Sequence, residues 1–208
     1  MGNDIRTIKP ADLAILSNPA IIAINQDPSG NSAARRWIWN TNATDSNFRS
    51  TIQMWSGNLK STTGGTQNDM VVLFINGGNT STTMNATLAD IFVDNGAAGT
   101  AQQVNMSWEV RDLWANRMSD EEAGWIIGNS TATGNATTGY NATTVGTGRY
   151  NATKTSYAQG LANKDDLLLG KVTTTVQPSG GITATVDPHG ARVFRLRAID
   201  TSMAKSEL

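Results

Sequence analysis

A single change of apolar rhythm divides this 208-residue chain and limits what it can become. In the opening segment apolar residues recur at helical spacing. From Ala34 onward they recur every second residue, between turns rich in Gly, Pro and Asn. Alternation of that kind makes one face of a strand apolar and the other polar, so most of the chain must pair into sheets with a buried side. Trp37 and Trp39 share a face of Ala34–Asn40, and Ile52 and Met54 share a face of Phe48–Trp55. Asp69–Asn76 is apolar on both faces, as a central strand covered on both sides would be. Gln103–Val110 is predicted as a strand with Val104, Met106, Trp108 and Val110 pointing one way. Gly170–Gln177, Ile182–Asp187 and Ala191–Ala198 follow, joined by Pro178-Ser-Gly-Gly181 and Pro188-His-Gly190. Those Pro and Gly residues supply the φ values that tight turns need, which predicts an antiparallel meander at the end of the chain. The fold class expected is all-β, an antiparallel β-sandwich of about eight strands.

The opening reads differently. Pro10 fits a first helical position and Leu13, Ile15 and Leu16 give an apolar side, so Pro10–Ser17 is predicted as a short helix. Asn18-Pro19 repeats the cap-and-Pro chemistry and opens a second helix through Ile24, which Asp27-Pro28-Ser29-Gly30 stops. Ile21, Ile22 and Ile24 would be exposed unless the sandwich, or a neighbouring body, covers them. The expected organisation is 1–30 as a joint, 31–200 as the sandwich and 201–208 as a tail.

Charge is low and balanced, with 16 basic and 17 acidic residues. No basic stripe offers itself to phosphates, so no nucleic-acid partner is expected. No apolar run approaches the roughly 18 residues of a membrane span, so no membrane partner is expected either. Eight sequons begin at Asn42, Asn79, Asn85, Asn105, Asn129, Asn135, Asn141 and Asn151, about twice the number chance would give. They are the N-glycosylation candidates, and they favour a secreted protein. Met1-Gly-Asn-Asp-Ile-Arg6 shows no basic and then apolar leader, and cysteine is absent. The reconciling expectation is that Met1 is an internal methionine of a longer secreted protein. Gly128–Asn163, built of Gly, Asn, Thr, Ser and Ala with Tyr140, Tyr150 and Tyr157 as its aromatics, is expected to be a long surface loop.

Residues able to do chemistry are few. His189, the sole histidine, sits in Pro-His-Gly and reads as a turn residue; with no Cys, neither a metal cage nor a nucleophile–His pair can be built around it. Asp120-Glu121-Glu122 after Ser119 reads as a solvated helix start. Trp37, Trp39, Trp108, Trp114 and Trp125 could form a sugar-stacking platform but fit a sandwich core better. Gly77-Gly78 and Gly180-Gly181 read as hairpin turns, since no helix follows to cradle a phosphate. No metal and no cofactor is expected.

Four stretches together resemble a known family. Met1-Gly-Asn-Asp-Ile-Arg6 with Ile22-Ala-Ile-Asn-Gln-Asp-Pro28 closely resembles the segment of glycoside hydrolase family 27 α-galactosidases that joins the last strand and helix of the barrel to the C-terminal domain. Val110-Arg-Asp-Leu-Trp114 resembles the family's strand-end motif, and Val186-Asp-Pro-His-Gly-Ala-Arg-Val-Phe-Arg-Leu196 its closing hairpin. Order and spacing agree, although the family usually carries Leu where Ser29 stands. The sequon-rich loop resembles the longer fungal members.

The resemblance implies a sandwich preceded by a strand–helix remnant of a (β/α)8 barrel, the last piece of an enzyme that removes terminal α-galactosyl residues with retention. Its partners would be the missing N-terminal barrel domain and, through the parent enzyme, galactosyl carbohydrate. The family's two catalytic aspartates sit at the ends of earlier barrel strands. Neither motif has a counterpart here, so no catalytic residue is assigned and no substrate-binding residue is singled out. Asn3 and Asp4 would fall near the active-site face and brace its loop. The fragment alone is expected to be inactive and to stabilise the barrel. A free-standing secreted carbohydrate-binding sandwich is the alternative.

Overall fold

The computed structural model describes residues 7–29, 31–40, 51–63, 67–93, 96–130 and 150–199, with backbone alone at 96–99 and 129–130. Eight strands are present among the described residues. Six of them form one antiparallel sheet in the order β1 (Ala34–Asn40), β2 (Thr51–Leu59), β3 (Asp69–Asn76), β8 (Ala191–Ala198), β5 (Trp108–Asp112) and β6 (Lys171–Val176). The other two, β4 (Thr82–Thr87) and β7 (Gly181–Val186), pair antiparallel as a second, smaller sheet.

The core lies between the two sheets. Met70, Val72 and Phe74 of β3, Trp108 and Val110 of β5, and Leu196 of β8 meet Met84, Ala86, Ile182 and Val186 from the small sheet. Phe92, at the end of the short helix α3 (Leu88–Ile91), packs on Trp108 with ring centroids 4.6 Å apart. The indole N–H of Trp108 donates to the Gln103 carbonyl at 2.8 Å, so this large ring is buried without an orphaned donor. Outward on the small sheet stand Thr83, Asn85, Thr183 and Thr185, with the hydroxyls of Thr83 and Thr185 3.0 Å apart.

The opposite face of the large sheet is also covered, which explains why β3 is apolar on both sides. Helices α1 (Pro10–Leu16) and α2 (Pro19–Asn25) form as the Pro spacing predicts. Asn18 caps α2: its side-chain oxygen accepts from the N–H groups of Ala20 and Ile21, which would otherwise lack partners. Ala20, Ile21 and Ile24 pack on Leu59, Val71, Leu113 and Val193, so Ile21 and Ile24 are half-buried against the sheet. The sandwich itself covers them. Helix α1 packs on α5 (Asp120–Ser130) through Ala14, Met118 and Ala123.

Several expectations need correction. The final three strands exist but form no meander: β6 pairs with β5, β7 with β4 and β8 with both β3 and β5. The turns at Pro178–Gly180 and Pro188–Gly190 therefore carry the chain from one sheet to the other, and Gly77-Gly78 likewise links β3 to β4. None of these is a hairpin. Gly181 is required for another reason, since a Cβ there would meet the Ala86 carbonyl oxygen at 2.5 Å. The strand over Gln103–Val110 starts only at Trp108; α4 (Gly96–Val104) precedes it. Its Ala and Gln residues are good helix formers. Val104 and Met106 still reach the same core, which is why the alternation looked continuous.

The strand placed at Phe48–Trp55 runs Thr51–Leu59, and β4 was not anticipated. The loop expected over Gly128–Asn163 contains the end of α5 and a helix, α6 (Tyr157–Ala162), while 131–149 lie outside the described residues. Tyr150 and Tyr157 pack on each other at 5.0 Å and on Ala23, Leu161, Leu168 and Leu169. Leu168 and Leu169 belong to α7 (Asp166–Leu169). The strand expected at Met1–Arg6, with Asn3 and Asp4, lies outside the described residues, as do Tyr140 and 201–208.

Candidate functional site

A buried polar assembly sits where the N-terminal helices end on the large sheet. Period two places Asp69 with Val71 on the helix-facing side of β3, Arg195 and Arg197 on that side of β8, and Glu109 and Arg111 on that side of β5. Asp27, from the turn after α2, completes the group.

Asp27 works with both oxygens. Oδ1 accepts from the N–H groups of Ser29 and Lys60, each at 2.9 Å, which fastens the joint to the loop after β2. Oδ2 lies 3.5 Å from Nη2 of Arg195, and Arg195 Nε lies 3.5 Å from Oδ2 of Asp69. Arg195 is wholly buried, and none of its guanidinium nitrogens has a hydrogen-bond partner among the described residues. Attraction between charges thus carries this contact, in surroundings where water screens it little. Burial pushes the Arg195 guanidinium pKa down, against the pull of Asp69 and Asp27. Burial likewise raises Asp69, although Arg195 and hydrogen bonds from Thr62 hold it back.

A second, better-bonded arm adjoins the first. Thr62 Oγ1 donates to Asp69 Oδ2 at 2.5 Å and accepts from Arg197 Nε at 2.7 Å. Glu109 Oε1 accepts from Arg197 Nη1 at 2.8 Å and from Arg111 Nε at 2.6 Å. Partial burial alone would raise the Glu109 pKa, but the hydrogen bonds and charges of the two arginines outweigh it and lower it. Arg111 Nη1 goes on to Asp166 Oδ1 at 2.7 Å and the Gly170 carbonyl at 2.9 Å. On the other side of the joint, the Asn18 side-chain N–H donates to the Leu113 carbonyl at 2.9 Å. Chemically this is a brace. Its carboxylates face guanidinium groups, so none stands free as a nucleophile or proton donor.

The cavities tell the same story. One of about 360 Å³ opens beside the joint between Pro28, Lys60, Leu161 and Lys164, with Asp27 as its only acid. Another, of about 370 Å³, is lined by Asp165 and Asp166, but Asp165 caps α7 and Asp166 is held by Arg111. Among the described residues no group of His, Cys, Asp and Glu could hold a metal ion.

Of the chain's six tryptophans, the five considered as a platform do not share a face. Trp37 packs on Phe74 at the rim of the core, Trp39 is 64% exposed on β1, and Trp108 is fully buried. Trp114 lies on the helix side of the sheet and Trp125 in α5. His189 occupies the left-handed region at φ 54° in its turn, and its Nε2 lies 3.0 Å from Asn79 Oδ1. Of the acidic run, Asp120 and Glu121 are exposed in the first turn of α5, whose Glu122 N–H bonds to Ser119 Oγ at 3.1 Å. Glu122 itself is buried, contrary to the solvated reading, because it is the residue of the three that turns toward the packed side of the helix.

Asn79, Asn85, Asn105 and Asn151 are exposed. Asn129 lies in α5 without a described side chain, and Asn42, Asn135 and Asn141 fall outside the described residues. Sequence reading missed Arg195 and Asp69 as partners of Asp27. The available signal was two arginines two residues apart on a strand with an otherwise apolar pattern.

Comparison with known proteins places the joint and sheet in context. The α-galactosidase C-terminal β-sandwich domain matches residues 49–145. α-Galactosidase 2 of Saccharomyces cerevisiae is 37% identical over 198 residues, covering 95% of this chain and 38% of the relative. The α-galactosidase of Torulaspora delbrueckii is 38% identical, covering 95% and 37%. A solved α-galactosidase from Saccharomyces cerevisiae superposes with a TM-score of 0.78 at 34% identity, covering 96% of this chain and 40% of that one. An α-galactosidase from Saccharomyces cerevisiae solved with raffinose gives the same score and identity. The chain thus spans well under half the length of the relatives it matches, and what it matches is their C-terminal β-sandwich portion. The chain belongs to the glycoside hydrolase family 27 α-galactosidases, as the C-terminal part of a fungal-type member.

Proposed function

We propose that this chain is the rear section of a secreted, exo-acting α-galactosidase that removes terminal α-D-galactosyl residues, with retention, from oligosaccharides or galactomannan side chains. The observation that carries the reading is the pairing of 37% identity across 95% of this chain with only 38% of the relative's length. The part with no counterpart here is where the chemistry would reside. Retaining hydrolysis needs two carboxyl groups about 5–5.5 Å apart on either side of the scissile bond. In the brace the acids are instead interleaved with Arg195, Arg197 and Arg111. The chain's own task is then mechanical. Its helices dock on the large sheet, Asp27 and Asn18 fix their angle, and the whole stabilises a preceding barrel domain.

The sequons complete the reading as sites of N-linked glycan in a secreted protein. Asn79, Asn85 and Asn151 suit that role best among the described residues, all being exposed and bonded through the side-chain oxygen rather than the nitrogen. At Asn105 that nitrogen donates to the Ala101 carbonyl at 2.8 Å.

The test is direct. The 208-residue chain should release no galactose from a chromogenic α-galactoside, whereas the chain extended by its barrel should release it. Turnover by the 208 residues alone, abolished by an inhibitor of the family, would overturn the proposal.

A further inference from the structure

Asn76 is the last residue of β3, where the chain leaves the six-stranded sheet for the two-stranded one. It is 1% exposed, and both polar atoms of its side chain are bonded. Nδ2 donates to the carbonyls of Thr80 at 2.8 Å and Val186 at 3.0 Å, and Oδ1 accepts from the Gly78 N–H at 2.9 Å. The backbone N–H of Asn76 donates to the Gly190 carbonyl at 2.9 Å. One residue thus ties together the two crossings between the sheets, from β3 to β4 and from β7 to β8. Its neighbour is Gly77, whose N–H donates to the Thr51 carbonyl at 2.8 Å.

Asn followed by Gly is also the dipeptide whose backbone attacks its own side chain most readily, because glycine puts no Cβ in the way. The backbone nitrogen of Gly77 gives its proton to a solvent base and bonds to Asn76 Cγ. The Cγ–Nδ2 bond then breaks, and that nitrogen leaves as ammonia. Water opens the resulting cyclic imide at either carbonyl, leaving aspartate or isoaspartate. In the fold every participant is engaged. The proton of the attacking nitrogen is held by Thr51, the leaving nitrogen is tied to two carbonyls, and the Gly78 bond fixes the amide plane.

We propose that Asn76 is a deamidation site gated by the fold. It is inert while the crossings are closed, reacts when they open, and prevents their closing once converted. The last step follows from the bonds lost. A carboxylate at position 76 has no N–H for the Thr80 and Val186 carbonyls, and it would set its own negative oxygens against theirs in a buried place. Isoaspartate, in addition, lengthens the backbone at a ladder position. Asn76 therefore turns a reversible opening into a permanent one. This role is independent of the parent enzyme's activity.

The 208-residue chain is held at mildly alkaline pH in native buffer and in guanidinium chloride, and exchange of amide for acid at residue 76 is located by fragment mass spectrometry. In guanidinium, residues 76 and 95, which head the chain's two Asn-Gly pairs, should convert at similar rates. In native buffer residue 76 should convert about tenfold or more slowly than in guanidinium, since it reacts only through opening. Equal rates at residue 76 in the two solvents would overturn the gate. After dilution from guanidinium, refolded and unfolded chains are separated by size exclusion and mapped. Converted residue 76 should be confined to the unfolded fraction, and an equal share of it in the refolded fraction would overturn the one-way step. Asn76→Asp, made directly, gives a second reading: it should lower the melting temperature or stay unfolded, and a variant that melts with the parent would overturn that step too.

Discussion

Arg195 Nη2 and Asp27 Oδ2 lie 3.5 Å apart, with side-chain exposures of 0% and 3%, and this pair joins the turn after α2 to the central strand β8. Asp27 is the acidic residue of the Ile-Asn-Gln-Asp-Pro stretch. The stretch that most closely resembles the family is therefore a structural clamp.

Removing one charge from a buried cluster leaves the others uncompensated. Asp27→Ala should destabilise the protein by about 3–5 kcal/mol. It also deprives the Ser29 and Lys60 N–H groups of their acceptor. Equilibrium denaturation in urea checks it, and a loss well under 1 kcal/mol would show that the clamp is idle.

The tryptophans should separate by burial. Trp108→Ala opens a cavity between the sheets and should cost about 3–5 kcal/mol, while Trp39→Ala should change stability by no more than about 0.5 kcal/mol. Retardation of the protein on a galactomannan gel should be unaffected by Trp39→Ala. A lost retardation would revive the sugar-binding platform.

Two glycines should behave oppositely. Gly170 has φ 85°, and a Cβ there would meet Leu113 Cδ2 at 2.7 Å and the Asp112 carbonyl oxygen at 2.8 Å. Gly170→Ala should cost about 1–3 kcal/mol. Gly128 lies in α5 with nothing within 4 Å of the added carbon, so Gly128→Ala should stabilise by about 0.5–1 kcal/mol. Thermal melts of the two variants against the parent give both signs at once.

Acid should loosen the sheet face through Glu109. Its pKa in the fold is lowered from the ordinary 4.5, so its stabilisation is full above that value and lost as pH falls through the lower folded one. Asp69 has the opposite sign: its folded pKa is raised from 3.8, so its contribution is largest below 3.8 and fades as pH rises through the folded value. Glu109→Gln should therefore flatten the decline of the melting temperature below about pH 4.5, whereas Asp69→Asn should not. An unchanged slope in Glu109→Gln would count against the Arg111–Glu109–Arg197 arrangement.

Much of this molecule could be read directly from its residues. The caps and Pro positions of α1 and α2, the double-sided burial of β3, and the existence of β1, β6, β7 and β8 follow from local chemistry, because helix starts and strand alternation are set within a few residues. The turns were legible as turns. Whether each formed a hairpin or an arch was not, because Pro and Gly meet the same φ demand when the next strand joins the same sheet or the opposite one. For Trp108 and Trp39 the same period-two pattern led to opposite fates, since burial depends on how far the two-stranded sheet reaches across the six-stranded one.

By itself, the sequence determined that the chain is a sandwich entered through two short helices. Only the tertiary structure decided that β8, last in the chain, lies at the centre of the large sheet between β3 and β5. That placement brings Arg195 within reach of Asp27 and Asp69, residues 168 and 126 positions away in sequence. The physical reason is that attraction between buried charges depends on distance in space and on the exclusion of water, and neither is written in the order of the residues.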